Sequence, residues 1–207
     1  MTQQHKPDLI RLDLSMIADL VAPGCRVLDL GCGEGDLLNK LMTEKKCDGQ
    51  GIEILDENVA TCVEKGVPVI HANLDSGLRN YPDASFDYVI LSRTLQVVRR
   101  PDLLLQDMLR VGRKCIISFP NFAALRVRSQ LFFRGHMPVT KNLPYHWYDT
   151  PNIHLLTIKD FKTFCRENDV EIMKQINLGS ERKHGILPDL APNLFAHLAI
   201  FKIRCKG

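Results

Sequence analysis

The stretch Val27-Leu28-Asp29-Leu30-Gly31-Cys32-Gly33-Glu34-Gly35 constrains the fold more than any other part of the chain. Apolar residues at consecutive positions predict a short strand buried on both faces, which demands covering helices on both sides of a sheet. Glycines at 31, 33 and 35 then predict a tight turn, after which Leu37, Leu38, Leu41 and Met42 resume at helical spacing. Ligands bind such sheets at the carboxyl ends of their strands, where glycine lets the backbone approach them closely. A tight turn that holds no ligand is the alternative. Three glycines in five residues weigh against it.

The pattern repeats along the chain. Leu9, Ile10, Leu14, Ile17, Leu20 and Val21 form a helical stripe that Pro23-Gly24 ends. Strands are predicted at 26–30, 50–54, 67–71, 86–91, 114–119, 171–177 and 196–203. Asp56 is placed to cap a helix bearing Val59, Ala60 and Val63, and Pro101 opens another over Leu103, Leu104, Leu105, Met108 and Leu109. Thr157-Ile158-Lys159-Asp160 has the form of a capping box, whereas residues 183–188 read as a loop. Strands alternating with amphipathic helices, joined by right-handed crossovers, specify an α/β fold. It is a Rossmann-like, doubly wound, seven-stranded and mainly parallel sheet with helices on both faces. The 207 residues suffice for a single domain, leaving only 121–152, rich in aromatic and basic side chains, as a lid-like insertion.

The spacing within the turn selects its ligand. A dinucleotide fingerprint reads G-x-G-x-x-G and presents a helix N-terminus to a pyrophosphate. Here the order is G-x-G-x-G, with Asp29 two positions before the first glycine and Glu34 inside the turn. Carboxylates so placed repel a pyrophosphate. They suit a ligand carrying an ammonium or sulfonium cation.

With these features, residues 27–35 resemble the first motif of class I S-adenosylmethionine-dependent methyltransferases. Glu53 matches the family acid that binds both ribose hydroxyls, two donors that need two acceptor oxygens. Asn73-Leu74 falls where the family contacts adenine, with Asn in place of the usual Asp, keeping a carbonyl acceptor without the charge. Asp83-Ala84-Ser85-Phe86-Asp87-Tyr88-Val89-Ile90 is similar to the family's fourth-strand segment. The resemblance implies S-adenosylmethionine, or its product S-adenosylhomocysteine, as cofactor. The residues it implies for that role are Asp29, Gly31, Cys32, Gly33, Gly35, Glu53, Ile54, Asn73, Leu74 and Ser92.

A narrower resemblance, to the bacterial MetW proteins of methionine biosynthesis, rests on four stretches. They are Ser92-Arg93-Thr94-Leu95-Gln96, Leu109-Arg110-Val111-Gly112-Arg113, Ser118-Phe119-Pro120-Asn121-Phe122 and residues 143–155, LPYHWYDTPNIHL. It implies a protein that supports or regulates a homoserine O-acyltransferase as its partner. The chain has no G-x-S-x-G elbow, so acyl chemistry belongs to that partner. The competing reading is a catalytically active small-molecule methyltransferase. Methyl transfer needs chiefly proximity and in-line orientation, because the cofactor carries its own leaving group. Candidate substrate or lid residues are Gln96, Asn121, Tyr145, His146, Trp147, Tyr148 and His154, with Asp149 a further acid-base group. Trp147 and Tyr148 read equally well as packing over the sheet edge, and no residue is assigned a catalytic task.

Composition excludes several other classes. A net charge of +3 demands neither nucleic acid nor a membrane. The basic run Arg126, Arg128, Arg134, His136 and Lys141 reads as the solvated face of a helix whose other face is apolar. The N-P-P-Y-like turn of nucleic-acid amino-methylating enzymes is absent, since Ser92-Arg93-Thr94-Leu95 stands there. Seven cysteines without C-x-x-C spacing predict free thiols, no metal site and a reducing, cytoplasmic setting. Neither a signal peptide at the N-terminus nor a membrane-spanning segment is expected.

Overall fold

The computed structural model describes residues 7–140, 143–179 and 186–206. The first half comprises α1 (Pro7–Leu20), β1 (Arg26–Leu30), α2 (Asp36–Lys45), β2 (Asp48–Glu53), α3 (Asp56–Glu64), β3 (Val69–His71) and β4 (Phe86–Ser92). There follow α4 (Pro101–Val111), β5 (Gly112–Pro120), α5 (Leu125–Arg134), α6 (Ile158–Glu167) and β6 (Val170–Leu178). Two short helices, α7 (Ile186–Leu190) and α8 (Pro192–Phe195), precede β7 (Leu198–Cys205). The strands form one seven-stranded sheet in the order β3-β2-β1-β4-β5-β7-β6. The first five run parallel, and β7 lies antiparallel between β5 and β6. This is the doubly wound, mainly parallel α/β sheet expected. Strand order reverses between β1 and β4, which opens a crevice at their carboxyl ends.

Period-two alternation divides the core between the two faces. Leu28 and Leu30 of β1, Val89 and Leu91 of β4 and Phe119 of β5 point to the face covered by α4 and α6. There Phe161 of α6 meets Phe119 and Phe201, with ring centroids 5.1 and 4.8 Å away. Val27, Ile90, Ile116 and Ile200 point the other way, onto Ile17 of α1 and Leu37, Leu38 and Leu41 of α2. The capping box forms as expected: the Asp160 amide donates to Thr157 Oγ1, and the Thr157 amide donates to Asp160 Oδ2. No described helix is long and apolar enough to cross a membrane.

Some elements differ from expectation for local reasons. β2 stops at Glu53, because the amides of Ile54 and Leu55 turn back to donate to the Glu53 carboxylate. β3 begins at Val69: the Val67 amide closes the end of α3 on the Cys62 carbonyl, and Pro68 has no amide to donate. Asp56 does not cap α3. Leu55 holds the cap position without a side-chain bond, and Asp56 is the first helical residue, 3.5 Å from His71. Within the loop expected at 183–188, residues 183–185 lie outside the described residues, and Ile186, Leu187 and Pro188 belong to α7. Helix α5 forms over the basic run, but only Val127 on it is buried, so the apolar face assumed to pack does not. Lys141 lies outside the described residues.

Candidate functional site

The crevice at the switch point is built around the turn after β1. Gly31, Gly33 and Gly35 all take left-handed backbone conformations, at φ 70°, 55° and 76°, which side chains disfavour. A Cβ on Gly31 would meet Thr94 Oγ1 at 2.8 Å and one on Gly35 would meet Cys62 Sγ at 2.9 Å, whereas one on Gly33 would meet nothing within 4 Å. The outer glycines are thus required by packing, and Gly33 is the member with open space before it. The turn is pinned to β2, since the amides of Gly31 and Cys32 both donate to the Ile52 carbonyl, at 2.8 and 3.1 Å.

Two buried carboxylates stand behind this turn. Asp29, on β1, is 2% exposed, and its Oδ1 is buried without a hydrogen-bond partner. Burial first, then the nearby charge of Glu53, pushes its carboxyl up to about 7. Glu53, at the end of β2, accepts the Gly33 amide at Oε2 (2.8 Å) and the amides of Ile54 and Leu55 at Oε1 (2.8 and 2.9 Å). Among the described ion pairs neither acid has a cation. The result is two carboxyl groups beside an accessible glycine backbone, of which Asp29 takes up its charge readily only when a cation offsets its burial. This chemistry fits a ligand that brings both a cation and hydroxyl donors.

Cys32 contributes differently from the expectation of a ligand contact. Its sulfur sits 4.0 Å from Cys62 Sγ and lies against the backbone of Gly51, whose added Cβ would come within 2.5 Å of it. Burial raises both thiols, so they are inert packing groups, and the Cys32 carbonyl accepts the Gly35 amide within the turn. Ser92 is likewise engaged within the protein, with its hydroxyl 3.0 Å from that of Ser118. Ile54 is exposed just past β2. Asn73 caps a short 3-10 helix, its Oδ1 accepting the Asp75 amide at 2.9 Å, and Leu74 packs partly against the core. The Asn73 carbonyl expected to face a ligand therefore already serves its own turn.

The second group of candidates separates into three places. Gln96 is buried: its Nε2 donates to the Arg93 carbonyl at 2.6 Å, its Oε1 has no partner, and its backbone carbonyl accepts the amides of Ile153 and His154. The His154 ring lies 3.3 Å from the Arg99 carbonyl, so Gln96 and His154 are brought together. Asn121 is not available to a substrate. Its Nδ2 donates toward the carbonyls of Pro192, Asn193 and Ala196, and its Oδ1 accepts the Ala123 amide. Tyr145, His146, Trp147 and Tyr148 are exposed, with Tyr148 stacked on His146 and edge-on to Trp147. Trp147 and Tyr148 thus do not cover the sheet edge as packing residues.

One pair near the crevice escaped sequence reasoning. Asp13 of α1 is buried and ion-paired with Arg93 at 2.7 Å. Arg93 follows β4 with φ 55°, a conformation rare for arginine, and its amide donates to the Ser118 carbonyl. Burial raises the Asp13 carboxyl and Arg93 opposes that rise. The pair ties α1 to the rim of the crevice. An Asp within an amphipathic stripe carries no signal of so distant a partner.

The sheet order, the antiparallel β7, the glycine turn after β1 and the acid ending β2 define the class I S-adenosylmethionine-dependent methyltransferase fold. Solved structures bear this out. A methyltransferase from Mesorhizobium loti superposes with a TM-score of 0.69 at 16% identity, covering 93% of this chain and 97% of that one. One from Archaeoglobus fulgidus gives 0.62 at 18%, covering 94% and 91%. The cyclase SpnF gives 0.66 at 19%, covering 93% and 80%, so the fold alone does not dictate methyl transfer. The family model of the methionine biosynthesis protein MetW matches residues 11–203, and the chain belongs to that family. It is also 36% identical over 200 residues to the bifunctional methionine biosynthesis protein MetXA/MetW of Rhodopirellula baltica. That match takes in 92% of this chain but only 32% of the longer relative.

Proposed function

We propose that the crevice binds S-adenosylmethionine or S-adenosylhomocysteine, and that the chain, so loaded, supports or regulates a homoserine O-acyltransferase in methionine biosynthesis. The observation that carries the cofactor reading is Asp29: a buried carboxylate with an unpartnered oxygen and no described cation calls for a cationic ligand. Glu53 is suited to the ribose hydroxyls. A carboxylate offers about four acceptor sites, and three are already taken by amides, so a diol displaces at least one of them. The Gly33 amide, the one that comes from the turn, is the bond to yield. Ligand binding then reshapes the turn, giving the protein two states with different ligand affinity. Seven free thiols suit a cytoplasmic setting.

The partner reading is supported by the relative's name, which joins MetXA to MetW in one protein. Mixing the purified chain with its cognate acyltransferase and measuring acylation, with and without S-adenosylmethionine, tests it. The expected result is association and an altered acylation rate. No association and an unchanged rate overturn it.

One observation favours the second reading, an active small-molecule methyltransferase. Gln96 Oε1 is buried without a donor, while Nε2 is held on the Arg93 carbonyl, which fixes the amide orientation. That oxygen is suited to accept a hydrogen bond from an acceptor's amine or hydroxyl and so orient it, and residues 121–152 would then act as the lid. Release of S-adenosylhomocysteine with a defined acceptor, lost in Gln96→Leu, would establish that reading.

A further inference from the structure

Among the described residues, most of the large apolar side chains left exposed are gathered at one end. They cluster in two connections, the one from β5 to α6 and the one from β6 to β7. Because β5 and β6 both run antiparallel to β7, these connections leave the sheet on the same side, that of the crevice. The Asn121 side chain ties them together through the carbonyls of Pro192 and Ala196. Phe132 and Phe133 are 83% and 79% exposed, and Trp147 and Tyr148 are 76% and 68% exposed. The two pairs are edge-on, with centroids 5.0 and 5.6 Å apart. Val127 of α5 packs on Leu143, just before the Tyr145–Tyr148 stretch, so the helix and the aromatic stretch are joined by one small core.

Such an exposure needs an occupant. An aromatic side chain covers roughly 150–250 Å², so these four rings alone leave about 500–700 Å² uncovered. Summed over the two pairs, that is at or above the ~300–600 Å² of a typical monomer's largest apolar patch and approaches the ~800 Å² that each partner contributes to a standard interface. Arg126 and Arg134, exposed on the same helix, belong to no described ion pair. Aromatic and arginine side chains are those enriched in protein-protein hot spots, and together they complement an apolar patch bearing acidic groups. In the fused relative, a MetW-like portion is held permanently beside a MetXA portion, at high effective concentration.

We propose that this aromatic and arginine face is where the chain docks on its homoserine O-acyltransferase. The inference rests on the partner reading above and adds the surface that serves it. The same connection is fastened to the segment after β4 by the Ile153 and His154 amides on the Gln96 carbonyl.

The test measures association of the full chain with its cognate acyltransferase by biolayer interferometry. The variants are Phe132→Ser/Phe133→Ser and, separately, Arg126→Glu/Arg134→Glu. Both alter exposed side chains, and thermal melting checks that each remains folded. We expect affinity for the acyltransferase to fall by at least about tenfold in each, while S-adenosylmethionine affinity changes less than about twofold. If the wild-type chain does not bind the acyltransferase, the partner reading itself fails. If it binds and both variants bind equally well, only the docking surface is wrong. Two further results also overturn the assignment: sedimentation showing a homodimer lost in the phenylalanine variant, or binding to phosphatidylglycerol vesicles lost in it without effect on the acyltransferase.

Discussion

Asp29 has an electrostatic environment that its stability should report. The folded protein holds this carboxyl protonated up to about pH 7, while the unfolded chain releases the proton near pH 4. The native state therefore binds more protons across that window, and the contribution of Asp29 to stability falls as pH rises through it. Asp29→Asn removes that dependence. Without ligand, it should be more stable than wild type at pH 7.5, by at most about 4 kcal/mol, and should differ little at pH 4. Denaturant melts at both pH values read the difference. Gly33 offers a second test. Gly33→Ala meets no neighbouring atom, so its stability cost should be only the ~1 kcal/mol of a left-handed alanine, while its methyl intrudes on the ligand's approach. Gly31→Ala must also displace Thr94 and should cost more. Thermal melts beside cofactor titration should show Gly33→Ala impaired more in binding than in folding.

At the scale of elements, the local signals that reach a few residues were readable and those made by distant contacts were not. Alternation and helical spacing located every strand and the principal helices, because burial on two faces leaves a periodic trace. The ends were less legible. β2 is cut short by its own Glu53 side chain, and α7 stands where proline and glycine suggested a loop. Asn121 is the clearest case: it looked like a substrate group because of its place after β5, yet it fastens that strand's exit to α8. Asn121→Ala leaves those buried carbonyls short of a donor and should destabilise the protein by roughly 2–3 kcal/mol. Denaturant unfolding measures the loss. The cofactor affinity of the folded fraction should be preserved.

Over the whole molecule, the crevice was the most legible part, because a G-x-G-x-G turn, a preceding acid and an acid at the next strand end all lie between Asp29 and Glu53 in the chain. The Asp13–Arg93 tie and the exposed aromatic face were not legible, since each depends on which side of the folded sheet a connection emerges. In the proposed account the cleft takes a cation and the exposed aromatic face takes a protein, and the segment bearing that face is bonded back to Gln96. The central claim is that Asp29 and Glu53 read a cationic, diol-bearing cofactor. Calorimetric titration of S-adenosylmethionine tests it most directly, on wild type, Asp29→Asn and Glu53→Gln at pH 6 and pH 8. The expected result is wild-type binding that releases up to about one proton at pH 6 and tightens at pH 8, with each substitution weakening it at least about tenfold. Equal affinities in all three proteins, with no proton released, would contradict it.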